Sequence, residues 1–185
     1  MIRKIAFAAA LLGSVTVLTL TGCSKTQKQE VSNAGKEPGA MVTTAPAMDS
    51  PLITDLKARL SAKPNDPDVL QKFGDAYFDA KRFEEAVTYY KKALEFKPAE
   101  ADIFNDLGLS LHYLGNPAGG LNYIEEGIKK NPYHQRIWLT KGFILAYGMG
   151  DLNGARAAWE KAKALNPESQ VGKAASEFLA QINKK

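Results

Sequence analysis

The chain has little of what reactive sites are made from. In 185 residues there is one cysteine, Cys23, and there are two histidines, His112 and His134. A lone cysteine forms no intrachain disulfide, so the fold must rest on its hydrophobic core. Neither histidine has a second ligand at zinc spacing, so no metal is expected. The sequence lacks G-x-S-x-G, H-E-x-x-H and phosphate-loop patterns. Gly148, Gly150 and Gly154 are wrongly spaced for a dinucleotide fingerprint, and no strand pattern precedes them. Asp151-Leu152-Asn153-Gly154 is too short for a calcium loop. Glu84/Glu85 and Glu125/Glu126 fall where helices begin, and acids there favour the helix dipole. The expectation is therefore no catalytic residue, no cofactor and no small-molecule substrate: the chain does not read as an enzyme.

The excess of positive charge is also small once the start of the chain is set aside. The formal net charge is +4 and the pI about 9.0, but Arg3 and Lys4 stand before the first acid, Glu30. No dense basic stripe remains, so nucleic acid is not an expected partner. Long apolar runs are missing too. The longest apolar run, Ile5 to Leu20, is uncharged and has 16 residues, short of the roughly 20 needed to span a bilayer. Its setting matters more than its length. Arg3 and Lys4 precede it, and the small residues Thr21 and Gly22 follow it, then Cys23. That is the layout of a secretory signal.

Leu20-Thr21-Gly22-Cys23 resembles the processing site of bacterial lipoproteins. The resemblance implies a signal peptide over 1–22, removed before Cys23, and acylation of Cys23 (diacylglycerol on the thiol, then usually a further chain on the new amine). More than one chain gives stable membrane anchoring. The implied location is the cell envelope. Ser24 after the cysteine implies an outer membrane facing the periplasm where the host has two membranes. Residues 25–50, KTQKQEVSNAGKEPGAMVTTAPAMDS, are polar, with no aromatic residue and no periodicity. Such a segment buries too little to order itself and reads as a disordered tether over 23–50, with a span on the order of 30 Å.

From Pro51 the sequence repeats. Gly74, Gly108 and Gly142 recur at 34 residues; Pro64, Pro98, Pro132 and Pro167 recur at 34, 34 and 35. Each unit carries two apolar stripes at helical spacing, such as Leu70, Phe73, Gly74 and Tyr77, then Ala86, Tyr89, Tyr90, Ala93 and Leu94. Gly74 and Ala86 are small where two helices would cross, and a proline closes each unit. One helical pair cannot bury both faces, so neighbours stack. The marks Leu70-x2-Phe73-Gly74-x2-Tyr77, Phe104-x2-Leu107-Gly108-x2-Leu111 and Trp138-x2-Lys141-Gly142-x2-Leu145 resemble the tetratricopeptide repeat (TPR). The expected fold is all-α, a right-handed α-solenoid of about three helix-turn-helix repeats. The TPR domain runs 51–185: a half-repeat at 51–64, repeats at 67–100, 101–134 and 135–168, and a cap helix at 168–185. Asn166 is the expected cap of that last helix, begun by Pro167. Gly119, Gly120 and Gly127 should weaken the second helix of the middle unit by roughly 1 kcal/mol each. The third unit has one residue extra, within GMGDLNG at 148–154.

The resemblance implies a concave groove lined by the first helices. On the side opposite the core stripe stand Asp68, Gln71, Asp75, Phe78 and Asp79; then Asp102, Asn105, Leu109, His112 and Tyr113; then Arg136, Leu139, Phe143, Ala146 and Tyr147. The groove would be acidic at one end and aromatic at the other, so its partner would be a protein or peptide segment with basic and apolar character. A clamp for a terminal carboxylate, known in chaperone-binding TPR domains, is not expected. Gln71, Asp75, Asp106 and Leu109 stand at its places, and only Asn105 is of a suitable type. The function implied is a scaffold or adaptor held at the membrane. Two other assignments stay open. LKARLSAKPNDPDVLQKFGDAY, residues 56–77, resembles the entry to the repeat domain of cytochrome c maturation factors that hold an apocytochrome. Some repeat lipoproteins assist pilus or outer-membrane assembly.

Overall fold

A computed structural model describes residues 51–182. The expected signal peptide, the lipidation site Cys23 and the tether lie outside the described residues. Within them the chain is helical throughout, with no strand: α1 Pro51–Ala62, α2 Pro67–Asp79, α3 Phe83–Phe96, α4 Ala101–Tyr113, α5 Pro117–Lys130, α6 Gln135–Ile144, α7 Leu152–Leu165 and α8 Gln170–Ile182. No described helix is long and apolar enough to cross a membrane.

Local chemistry starts these helices. Asp66 caps α2, accepting from Asp68 N at 3.0 Å and Val69 N at 3.3 Å, and Pro67 opens the first turn where no N–H is needed. Asn116 accepts from Gly119 N at 2.9 Å ahead of Pro117, and Asp151 accepts from Gly154 N at 2.8 Å. The last cap differs from expectation. Asn166 accepts from Ser169 N, but the helix begins at Gln170, and the Ser169 hydroxyl accepts from Gly172 N at 2.9 Å. Ser169 is therefore the capping residue. Gln135 ties this corner down, donating from Nε2 to Ala162 O at 2.6 Å and Asn166 O at 2.7 Å.

Helices pack in sequence, each on the next, and the first helices α2, α4 and α6 also touch one another. α8 contacts both α7 and α6, as the first helix of a further repeat would. Two core clusters show the logic. Leu70, Ala86, Tyr90, Ala93, Ile103 and Leu107 join α2, α3 and α4; Leu139, Ala155, Trp159, Ala162, Ala175 and Phe178 join α6, α7 and α8. The repeating glycines mark the crossings. Gly74 lies under the Tyr90 ring, Gly108 against Ile124 and Gly120, and Gly142 under Trp159. A Cβ on Gly120 would come within 2.5 Å of the Gly108 carbonyl oxygen, and one on Gly127 would strike Phe104 and Ile137. Two of the three glycines read as weaknesses of α5 are thus required for its approach to neighbours.

The turns within repeats share a design. Each holds one residue at positive φ: Lys81 (59°), Gly115 (78°) and Gly150 (71°). In the first two, a backbone N–H reaches back five residues, Arg82 N to Tyr77 O and Asn116 N to Leu111 O. In the third it reaches back six, Asp151 N to Leu145 O, because Leu145–Met149 form a π-helical turn. The extra residue of the third unit is absorbed inside the end of the first helix. Aligning Tyr147, Met149 and Gly150 with Tyr113, Leu114 and Gly115 identifies it as Gly148.

Candidate protein-binding groove

The inner face of α2, α4 and α6 divides into three parts. At the first, Asp68 is ion-paired with Lys97 at the end of α3, and that contact holds its carboxyl below the usual carboxylate range. Asp75 accepts a hydrogen bond from the Tyr90 hydroxyl at 2.9 Å. Gln71 is half-buried and Asp79 is exposed at the helix end. Part of the acidity expected of this end is therefore already engaged within the fold.

The middle part corrects the sequence reading. Asn105 and Leu109 are buried, as is Leu139 on α6. α4 is flanked by α2, α3, α5 and α6, so most of its circumference is closed and these side chains offer no groove surface. The Asn105 amide donates to Asp106 Oδ1 at 3.0 Å. Asp106 and Asp102 in turn hold Arg136 of α6, whose Nη2 lies 2.6 Å from Asp102 Oδ1 and 3.3 Å from Asp106 Oδ2. His134 Nε2 lies 3.1 Å from the same Asp102 oxygen. The hydrogen bond from His134 and the charge of Arg136 lower the Asp102 carboxyl to about 2. Arg136 thus bridges the second and third repeats. The spacing of 34 that puts Asp102 and Arg136 on equivalent first turns was visible in the sequence, but the pairing was not.

The third part is a run of rings. Phe78 lies 5.4 Å from Phe83 and 5.9 Å from Tyr113; Tyr113 stacks on Phe83 at 4.8 Å. His112 meets Phe143 edge-on at 5.3 Å, and Phe143 meets Tyr147 at 4.9 Å. Tyr147 then reaches Phe178 of the cap helix at 6.4 Å. Tyr113 and Tyr147 are exposed, while Phe78, His112, Phe143 and Ala146 are half-buried beneath them. Burial lowers the His112 imidazole and raises the Tyr113 phenol, so both rings are held in their neutral forms. Phe83 and Phe178 were not among the expected groove residues. Phe83 opens a second helix and Phe178 sits within the cap helix, stacked on Trp159, so packing between elements brings them to this row. No group of acids, histidines or cysteines able to hold a metal occurs among the described residues.

This architecture is that of a TPR solenoid, and comparison with known proteins agrees. A family model of the TPR repeat matches residues 74–115. The Hsp70-Hsp90 organizing protein of Triticum aestivum is 30% identical over 101 residues, which are 55% of this chain and 17% of that protein. The chain thus spans under a fifth of that relative. Among solved structures, the TPR2B-domain:pHsp70 complex of yeast Sti1 aligns with a TM-score of 0.60 at 15% identity, over 64% of this chain and 96% of that one. The first TPR of Spaghetti (RPAP3), bound to the HSP90 peptide SRMEEVD, aligns with a TM-score of 0.58 at 19% identity, over 64% and 90%. At these identities the likeness is one of fold.

Proposed function

We propose that the chain is an exported, lipid-anchored adaptor that captures a segment of a partner protein on the aromatic face of its repeats. The observation that carries the reading is the row Phe78, Tyr113, Phe143 and Tyr147, contributed by three successive first helices, with two tyrosines open to solvent. Large, stiff aromatic side chains are the usual anchors of a binding surface. Two similar structures hold peptides of Hsp70 and Hsp90, which supports peptide capture by this fold. The chemistry here favours a different ligand from the acidic SRMEEVD. Asp79 is exposed at the end of α2, and Arg136 is already held by two carboxylates. An apolar segment with a basic flank fits that charge.

The test is affinity capture from detergent-solubilised host membranes with the full chain as bait. Replacing Tyr113 and Tyr147 together by alanine should lower partner recovery by about tenfold or more, with the helical signal intact. Recovery equal to that of the unaltered chain would reject the groove.

A further inference from the structure

One edge of the solenoid carries a concentration of exposed apolar side chains that the groove does not use. Leu114 is 38% exposed, Met149 51% and Leu152 44%. Leu114 follows α4, Met149 ends the π-helical turn after α6 and Leu152 opens α7, so all three lie where first helices hand over to second, near Tyr113 and Tyr147. In the second and third repeats these turns are almost without charge, whereas the turn of the first repeat carries Asp79, Lys81, Arg82, Glu84 and Glu85. Residues 113–124 hold none, and residues 142–155 hold only Asp151, whose carboxylate caps α7. The opposite edge, where second helices hand over to first, mixes charged residues such as Lys63, Asp66, Lys97 and Glu100 with the exposed Phe96 and Tyr133. An exposed apolar cluster with so little charge around it marks a contact surface.

The topology gives this edge an occupant. α1 pairs with α2 as a second helix does, so its first residue, Pro51, lies on the edge where second helices begin. There Leu52 is 56% exposed. The described residues therefore begin, at Pro51, on the same edge as the apolar turns. We propose that this edge rests on the lipid bilayer, with Leu114, Met149 and Leu152 dipping into the interface and Tyr113 and Tyr147 at headgroup level. Turns with so little charge enter that region at small cost in ion desolvation, and tyrosine, with an apolar body and a polar tip, suits the boundary. The inference rests on the lipid anchor of the proposed function. The acyl chains hold the domain near the bilayer and the edge sets its orientation, with the aromatic groove running beside the membrane.

The lone cysteine makes the test clean. With Cys23 acylated, a cysteine placed by Met149→Cys is the sole free thiol, and Tyr133→Cys supplies a control on the opposite edge, where Tyr133 is exposed. The full lipidated chain, labelled with an environment-sensitive fluorophore, is reconstituted into phosphatidylethanolamine–phosphatidylglycerol vesicles. The label at 149 should shift to the blue and lose iodide quenching several-fold on vesicles, while the label at 133 stays quenched. Equal quenching of both labels on protein that floats with the vesicles would overturn the edge and leave the anchor standing. Protein that fails to float and carries a second label on Cys23 would overturn the anchor and the edge with it. Shielding at 149 that needs no vesicles and grows with protein concentration would assign the edge to a second copy, and so reject the lipid contact.

Discussion

Asp102 is the residue on which the join between the second and third repeats is most exposed to chemistry. Its carboxyl lies at about 2 in the fold, against 3.8 ordinarily, through His134 and Arg136. A carboxyl depressed by folding contributes stability above its unfolded pKa, and that contribution fades as pH falls toward the folded value. The loss thus falls between about 4 and about 2, not near neutrality. Because Asp102 is partly exposed, solvent screening reduces the contribution to about 1 kcal/mol. Asp102→Asn should lower stability by about that amount at pH 7 and flatten its decline below pH 4, measured by urea unfolding across pH. A decline as steep as that of the unaltered chain would remove Asp102 from the account. Gly120 makes a second case at this scale. Helix propensity alone favours Gly120→Ala by about 1 kcal/mol. The Cβ, however, would meet the Gly108 carbonyl, which is backbone and cannot step aside. Overpacking of this kind costs about 1–3 kcal/mol, so the substitution should lower the melting temperature; a rise would show that α4 and α5 can separate cheaply.

Among the elements, the π turn at Leu145–Met149 is the one place where the third repeat departs from the other two. The extra residue was legible as a spacing of 35 where 34 was expected, but its location was not. The glycine-rich stretch 148–154 suggested a lengthened loop. The backbone instead keeps the turn and widens the helix end, which leaves Gly150 at positive φ and Asp151 free to cap α7. Gly148 itself is wedged beside Pro117 and His112. Deleting Gly148 should restore the 34-residue register, with Tyr147 and Met149 taking the places that Tyr113 and Leu114 hold one repeat earlier. The expected outcome is a folded chain with unchanged helical circular dichroism and a melting temperature within about 5 °C of the original, since about 1 kcal/mol moves a domain of this size by only a few degrees. Loss of cooperative unfolding would mean that the π turn is needed to join α6 and α7. The helices were readable because apolar stripes and proline stops are local signals. The inner face was read less well for the same reason. Register places Asn105 and Leu109 on it, but whether a face is open depends on how many neighbours a helix has, and α4 is enclosed by α2, α3, α5 and α6.

At the scale of the whole molecule, the described repeats hold no metal cluster, and what they present is surface: rings on one face and exposed apolar side chains along one edge. A surface acts by being where its partner is, and that gives the sequence before Pro51 its importance. Leu20-Thr21-Gly22-Cys23 supplies the address in the proposed function, and the single thiol is the natural place to break it. Cys23→Ser removes the acceptor for the first acyl chain without touching any residue of the repeats. The expected outcome is a chain whose repeats fold as before but which no longer sits in the membrane as the mature lipoprotein. It should either leave the membrane fraction or stall with its signal uncut, and metabolic labelling with palmitate should fall to background. Mature-sized protein retained in the membrane with palmitate still incorporated would place the anchor elsewhere. Partner capture by detergent-released protein should survive the substitution, because the rings that carry it lie at least as far along the chain as Phe78. Loss of capture by a folded, released domain would instead mean that the lipid or the segment beside it belongs to the binding surface.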